Sequence, residues 1–144
     1  MIKVIVSNKH AYRNYSIIES FECGIELKGT EVKSISRANC SINEAYVQIK
    51  NMEAFIINMH VAPFFEGNQF NHDPYRTRKL LLHKNEIIKL QHQAQALRMT
   101  IVPIKIYWKN NKLKLVIALA KGKKLHDKRE DLKIRDLSRE AKTY

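Results

Sequence analysis

TIVPIKIYWKNNKLKLVIALA, residues 100–120, is the stretch that decides the fold. The Asn110-Asn111 pair at its centre is typical of a two-residue type I′ turn, which joins the two strands of a hairpin. With that turn, residues whose numbers sum to 221 lie opposite each other. The apolar pairs on one face are then Val102 with Leu119, Ile104 with Ile117, Ile106 with Leu115, and Trp108 with Leu113. Lys109 with Lys112 and Tyr107 with Lys114 face the other way, so a slip of one residue would place apolar side chains in water.

A second long strand is predicted over residues 15–27, where apolar side chains alternate with polar ones. Gly24 interrupts it, and glycine is common where a strand bends or bulges. A further hairpin is predicted from residues 45–50 and 54–61, joined through residues 51–53. The apolar face of the long strand consists of Ile17, Phe21, Cys23, Ile25 and Leu27.

Two helices are predicted between these strands. A short one follows Gly29, with Thr30 as its N-cap and Glu31 as a surface and capping residue in its first turn. Its buried side is formed by Val32 and Ile35. A longer helix begins near Asn85, because apolar residues recur at helical spacing. These residues are Ile87, Leu90, Ala94 and Leu97.

These elements predict a mostly β fold with flanking α-helices, built as a closed antiparallel β-barrel of the oligonucleotide-binding (OB) type. A generic α+β sandwich is the alternative. Residues 1–120 form the predicted body, and residues 121–144 a basic C-terminal tail. The tail is expected to be largely disordered when free and to order against a polyanion, with a helix docked on the body as the alternative.

The charge of the chain points to a polyanionic partner. The 26 Lys and Arg against 14 Asp and Glu give a net charge of +12, of which the tail carries +4 and the body +8. The longest apolar stretch, residues 115–120, is far shorter than the roughly 18–20 residues of a membrane span, and no signal peptide is recognisable. Two cysteines fit neither a metal site nor a disulfide framework. We therefore expect a soluble, cytoplasmic protein without cofactor or metal that binds nucleic acid.

The segment 68–84 is predicted to be a basic loop. It places Arg76, Arg78, Lys79 and Lys84 within nine residues and carries no acid among them. Arginine offers planar donors that match a phosphate, so together with the +8 charge of the body we expect this segment to contact nucleic acid, with Arg78 on a phosphate. A solvated basic loop is the alternative. The His72-Asp73 pair would suit a nuclease, but the other histidines show no metal-ligand spacing, so no catalytic residue is assigned.

Four blocks of the sequence, in this order, resemble the small protein B family of bacterial tmRNA-binding (SsrA-binding) proteins. They are Asn8-Lys9-His10-Ala11 with Tyr15; Gly29 to Ser34; Asn71-His72-Asp73-Pro74 with the run Arg78 to Lys84; and Gly122-Lys123-Lys124 with Asp127-Lys128-Arg129. Phe64 departs from the tyrosine usual in the family, and the tail ends soon after Arg139.

The resemblance implies a non-enzymatic role in trans-translation, the rescue of ribosomes stalled on messages without a stop codon. It implies that the body binds the tRNA-like domain of tmRNA. It also implies that the tail enters the decoding centre and the empty mRNA channel of the small subunit, near 16S rRNA, and forms a helix there. The tmRNA contacts it suggests are Asn8, Lys9, Tyr15, Glu31, Lys33, Ser34, Asn71, His72, Arg76, Arg78 and Lys79. The decoding-centre contacts it suggests are Lys123, Lys124, His126, Asp127, Lys128 and Arg129.

The same resemblance implies that the protein works with elongation factor Tu and aminoacylated tmRNA, and we expect it to be a monomer. A protein that binds structured RNA or the ribosome without a tmRNA-specific role is the alternative.

Overall fold

A computed structural model describes residues 2–64 and 71–122. Within these ranges the chain forms nine strands and three helices. In chain order they are β1 (Ile2–Ser7), α1 (Ala11–Asn14), β2 (Tyr15–Ile25), α2 (Gly29–Ser36), β3 (Cys40–Ser41), β4 (Tyr46–Lys50), β5 (Glu53–Ile57), β6 (His60–Val61), β7 (Arg78–Leu81), α3 (Lys84–Ala96), β8 (Thr100–Lys109) and β9 (Lys112–Gly122). The predicted mostly β fold with flanking helices is confirmed.

Seven strands form one antiparallel sheet in the order β1-β8-β4-β5-β7-β2-β9. Because β9 also pairs with β8, the pairings return to a strand already in the sheet and form a ring of six strands. Strand β1 extends the sheet from β8, and β3 with β6 forms a separate two-stranded ribbon. The apolar core lies inside the ring, where Ile56, Leu115, Ile117 and Leu119 are fully buried.

The β8–β9 hairpin has the predicted turn, with φ of 52° at Asn110 and 64° at Asn111. Near the turn the register is also as predicted, from Lys109 opposite Lys112 to Lys105 opposite Val116. Beyond a bulge between Pro103 and Lys105 it shifts by one residue. The predicted pairs of Val102 with Leu119 and Ile104 with Ile117 are therefore wrong: Leu119 pairs with Ile101, and Ile117 with Pro103.

The bulge divides the buried residues of β8 between two clusters. A bulge of one residue exchanges the two faces of a strand, since side chains alternate. Ile101 and Ile106 consequently both lie in the main core, although their numbers differ in parity. Val102 and Ile104 lie in a second cluster, where they pack with small side chains. These are Ala11 of α1 and Ala118 and Ala120 of β9.

Strand β2 shows the predicted alternation of burial. Its register irregularity lies between Ile17 and Glu19, so Gly24 is not a bulge. Gly24 is instead the residue that pairs with both Lys114 of β9 and Leu81 of β7. A Cβ at this position would lie 3.3 Å from the Leu81 side chain. Glycine therefore permits a close approach where β2 leaves one neighbour for the next.

The helices begin earlier than predicted. The N-cap of α2 is Lys28 rather than Thr30, and Glu31 is fully buried instead of lying on the surface. Its capping role is confirmed, because its Oε1 accepts a hydrogen bond of 2.7 Å from the Lys28 N–H. Helix α3 begins one residue before Asn85, and Leu97 is exposed just beyond its end.

Two further predictions need correction. The segment 54–61 is not one strand, because it is divided into β5 and β6 around Asn58, whose φ is 63°. The predicted loop 68–84 contains β7 and the start of α3, while residues 65–70 lie outside the described ranges.

At its far end, β9 continues past Ala120 to Gly122, which pairs with Tyr15. Among the described helices, none has the length and apolar character of a membrane span.

Candidate nucleic-acid interface

A buried ion-pair network joins α2 to the segment before β7. The carboxylate of Glu31 accepts hydrogen bonds from Arg76 Nη2 at 2.7 Å and from Arg78 Nε. The other four N–H groups of Arg78 are bonded to backbone carbonyls, so all five of its donors are satisfied. These carbonyls belong to Asp73, Pro74, Arg76 and Met59, at distances between 2.9 and 3.4 Å. The network fixes the path of the chain from residue 73 to residue 78.

The side chains of Glu31 and Arg78 are both charged in this network. Burial by itself would raise the pKa of Glu31, but hydrogen bonds from Arg76, the Lys28 N–H and Arg78 lower that pKa below its ordinary value of 4.5. Burial lowers the pKa of Arg78, and the neighbouring Glu31 opposes this change. Buried charges are tolerated when they are paired and hydrogen-bonded, as here.

Asn71 and His72 bring the same segment against α2 and the β6 region. Asn71 makes reciprocal hydrogen bonds with the backbone of Phe64, accepting from its N–H at 3.0 Å and donating to its carbonyl. His72 Nε2 donates to the Val61 carbonyl at 2.9 Å, because a carbonyl only accepts. His72 Nδ1 lies 2.8 Å from the Thr30 hydroxyl. Both ring nitrogens of His72 are thus engaged in the folding of this region.

Asp73 is likewise used locally. Its Oδ1 accepts a hydrogen bond of 2.9 Å from the Tyr75 N–H, which forms an Asx turn. Among the described residues, no group of three His, Cys, Asp or Glu side chains is placed to bind a metal ion.

Lys33 of α2 and Arg37, at the C-cap of α2, both lie over the ring of Phe64. Lys33 Nζ is 5.3 Å and the Arg37 guanidinium 4.7 Å from the ring centroid. Phe64 is only 9% exposed, since these side chains and the Asn71 contact cover it. Sequence reasoning missed Arg37, although its spacing of four residues from Lys33 is the signal that places both on one side of a helix.

The first block forms a different part of the surface, between α1 and the start of β4. Asn8 is buried, donates to the carbonyls of Ile42 and Pro103, and accepts from the His10 N–H. It thereby positions the turn that exposes Lys9. Tyr15 lines a polar cavity of about 230 Å³ beside Asn8. The cavity also includes His10, Asn43, Glu44 and Tyr46, which the sequence analysis did not assign to the site.

The predicted tmRNA contacts therefore divide by exposure. Those with accessible side chains are Lys9, Lys33, Tyr15, Asn71, Arg76 and Lys79. Those that are buried are Asn8, Glu31, Ser34, His72 and Arg78. Ser34 donates a 2.6 Å hydrogen bond to the Ala62 carbonyl, and Lys79 pairs with Glu53 at 2.7 Å. The burial of Glu31 and Arg78 is at odds with the direct contacts predicted for them, because they offer no surface to a phosphate.

The structure brings the second and third blocks together through the Glu31–Arg76–Arg78 network, and leaves the first block beside the polar cavity. The predicted decoding-centre residues lie outside the described residues. They are Lys123, Lys124, His126, Asp127, Lys128 and Arg129.

The chain is similar to one family of known proteins over nearly its whole length. Residues 5–144 match the model of the SmpB protein family. The chain is 73% identical over 141 residues to the SsrA-binding protein of Ureaplasma parvum serovar 3, an alignment that covers 98% of this chain and 100% of that protein. It is 56% identical over 143 residues to the SsrA-binding protein of Malacoplasma penetrans, covering 99% and 98%.

A solved structure described as "tmRNA-SmpB: a journey to the center of the bacterial ribosome" contains a chain with the same fold. The TM-score is 0.72 at 36% sequence identity, and the match covers 90% of this chain and 95% of that chain. The motif blocks, the family match over residues 5–144 and this structural likeness lead to one conclusion: the chain belongs to the SmpB protein family.

Proposed function

We propose that this chain binds tmRNA and acts with it on stalled ribosomes in trans-translation. The observation that carries the proposal is membership of the SmpB family over residues 5–144. It is supported by relatives that are SsrA-binding proteins and by the likeness to a chain from a tmRNA-SmpB ribosome structure. The role is non-enzymatic and cytoplasmic, and the body is a closed barrel of the OB type.

The exposed and buried residues of the motif blocks have different tasks in this proposal. Lys33, Arg37 and Arg76 offer cations around Phe64 and α2, where they suit the phosphates and bases of a folded RNA. Lys9 and Tyr15 form a second contact region beside the polar cavity. The buried residues position these side chains and do not touch RNA. They are Asn8, Glu31, Ser34, His72 and Arg78.

The tail beyond β9, residues 123–144, has the ribosomal task. Lys123, Lys124, Lys128 and Arg129 meet phosphates of the decoding centre and mRNA channel, and His126 stacks on an rRNA base. A tail that orders only on binding makes an empty channel a condition for binding, because a message in the channel excludes it. The protein acts as a monomer, together with elongation factor Tu and aminoacylated tmRNA.

The deciding experiment compares the affinity of the full chain for the tRNA-like domain of tmRNA and for an unstructured RNA of the same length. We expect clearly tighter binding to the tRNA-like domain, because the contacts come from a rigid surface that fits a folded RNA. Equal affinity for the two RNAs would favour the alternative, a binding protein without a tmRNA-specific role.

A second experiment separates the body from the tail. Asp127, Lys128 and Arg129 are changed together to alanine, and tmRNA affinity and peptide tagging on stalled ribosomes are both measured. We expect nearly unchanged affinity and loss of tagging. An equal loss in both assays would contradict the assigned division of tasks.

A further inference from the structure

Phe64 is a buried aromatic residue that lies outside the apolar core. It is only 9% exposed, yet it belongs neither to the main core nor to the second cluster. Two exposed cations lie against its ring instead, with Lys33 Nζ 5.3 Å and the Arg37 guanidinium 4.7 Å from the ring centroid. The ring is thus covered by charged side chains rather than by the core.

Hydrogen bonds hold Phe64 in a fixed position relative to α2. Two residues before it, Ala62 donates its N–H to the Asn39 carbonyl at 2.9 Å. The Ala62 carbonyl accepts a hydrogen bond of 2.6 Å from the Ser34 hydroxyl. Asn71 bonds to both the N–H and the carbonyl of Phe64. Since Ser34 belongs to α2 and Asn39 follows its end, the ring is fixed against this helix.

The two cations are neighbours on α2. Lys33 lies in the last turn of the helix, and Arg37 lies four residues later, at the C-cap. Like charges at this spacing destabilise a helix, although the dipole at the helix C-terminus favours each of them. An aromatic face attracts a cation within about 6 Å of its centroid, so Phe64 offsets the repulsion. Both charged groups are thereby held within 5.3 Å of one point.

This hold on the two cations matters for binding. Lysine and arginine side chains rotate freely in water, and fixing such a side chain against a phosphate costs conformational entropy. A cation that already lies against a ring has lost part of this freedom before the phosphate arrives. The ring therefore raises affinity without offering any group to the RNA.

We propose that Phe64 is a positioning residue for RNA binding, which holds Lys33 and Arg37 ready for the phosphates of the tRNA-like domain of tmRNA. The inference rests on the proposed function, because these two cations contact RNA in it. Phe64 itself lies in none of the four motif blocks and does not touch RNA in this role. A ring that only fills the space beside α2 is the competing explanation.

The test measures the affinity of full-chain variants for the tRNA-like domain of tmRNA. Phe64→Leu removes the aromatic face and keeps an apolar side chain, whereas Phe64→Tyr keeps the face. The matched control is Phe21→Leu, the same change beneath a single cation of β2's surroundings, where Lys89 Nζ lies 5.8 Å from the ring centroid. Thermal unfolding checks that each variant is folded. Phe64→Met, which also lacks a ring, is used if Phe64→Leu is not folded.

We expect Phe64→Leu to bind the tRNA-like domain about tenfold more weakly, because binding must now immobilise two long side chains. Phe64→Tyr should bind like the unmodified chain, because a tyrosine ring attracts cations as a phenylalanine ring does. Phe21→Leu should also leave the affinity unchanged, since Lys89 has no part in the proposed RNA contact.

A double-mutant cycle separates positioning from support of the fold. Phe64→Leu is also introduced into a chain that carries Lys33→Ala and Arg37→Ala, and binding is measured at low salt, where the weakened chain still binds. In this chain we expect no further loss of affinity, because no cation remains to be positioned. A ring that only supports the fold would instead cause the same loss with and without the two cations.

Three results would overturn the inference. They are an undiminished affinity of Phe64→Leu, an equal loss for Phe64→Leu and Phe64→Tyr, and a loss for Phe64→Leu that persists after the two cations are removed. Failure of the proposed function has a different signature. It would appear as the unmodified chain binding the tRNA-like domain and unstructured RNA equally, a comparison in which no Phe64 variant takes part.

Discussion

The Arg78 side chain is fully buried, and each of its five N–H groups has a partner within the protein. Removal of one member of a buried ion pair leaves the other charged group in an apolar environment with fewer partners. The side chain offers no donor to RNA, so in the proposed function Arg78 acts through the position of residues 71–77.

We expect Arg78→Ala to lower the free energy of unfolding by about 3–5 kcal/mol, as for other broken buried ion pairs. Chemical denaturation measures this change. For the fraction that remains folded, the salt dependence of tmRNA binding should be unchanged, because no phosphate contact is lost. Lys33→Ala is the matched control. Its free energy of unfolding should stay within about 0.5 kcal/mol of that of the unmodified chain. The slope of its log affinity for tmRNA against log salt concentration should fall by about 1. A lowered salt slope for Arg78→Ala together with an unchanged slope for Lys33→Ala would contradict the roles assigned to these residues.

The lowered pKa of Glu31 links the same network to acid stability. A carboxyl whose pKa is lower in the folded state stabilises the fold above its unfolded pKa, near 4.5, and this contribution is lost as the pH falls through the folded value. Glu31→Gln should therefore be less stable than the unmodified chain at neutral pH, and the difference should narrow below about pH 4.5. Thermal unfolding between pH 3 and 7 measures the effect.

Glu22→Gln provides a comparison for this pH effect. The pKa of Glu22 is also lowered, mainly by the Tyr107 hydrogen bond, but its side chain is 38% exposed. Solvent weakens such an interaction, so the difference in stability between Glu22→Gln and the unmodified chain should change less with pH than the difference for Glu31→Gln. If the difference in stability between Glu31→Gln and the unmodified chain stayed constant between pH 3 and 7, ionisation of Glu31 would not contribute to acid stability.

At the scale of the element, the Asn110-Asn111 turn determines how the hairpin begins. Both residues have positive φ, which a type I′ turn requires and which asparagine tolerates better than a branched residue. We expect Asn111→Val to lower the free energy of unfolding by about 1–2 kcal/mol, the cost of the left-handed conformation for such a residue. Asn111→Gly should be at least as stable as the unmodified chain. Urea denaturation compares the three proteins, and equal midpoints for the valine and glycine variants would disprove the role of φ.

At the scale of the whole molecule, β9 connects most of the structure, since it pairs with both β8 and β2 and carries Leu115, Ile117 and Leu119 into the core. We expect Ile117→Ala to lower the free energy of unfolding by about 2–5 kcal/mol and Ile117→Val by about 0.5–1.5 kcal/mol, because a cavity remains where the side chain was. Equilibrium urea unfolding measures both. Ile88→Ala is the control, since Ile88 is 47% exposed on α3 and should change stability little. A similar loss for Ile88→Ala and Ile117→Ala would contradict this placement of the core.

Sequence reasoning recovered those parts of the fold that depend on neighbours along the chain. The Asn-Asn turn, the register next to it, the alternation of β2 and the start of α3 to within one residue all follow from local backbone preference and side-chain period. The motif residues also defined the second and third blocks, and the structure shows that these two blocks meet in space.

The tertiary structure alone decided the rest. The bulge in β8 allows one strand to supply two apolar clusters, one of which is completed by Ala11 from another part of the chain. The burial of Arg78 depends on Glu31, 47 residues away in sequence, so a basic residue that reads as a surface cation becomes internal once its partner is buried beside it. Local sequence specifies turns and periods because these act over a few residues, whereas exposure depends on what the completed fold packs against each side chain.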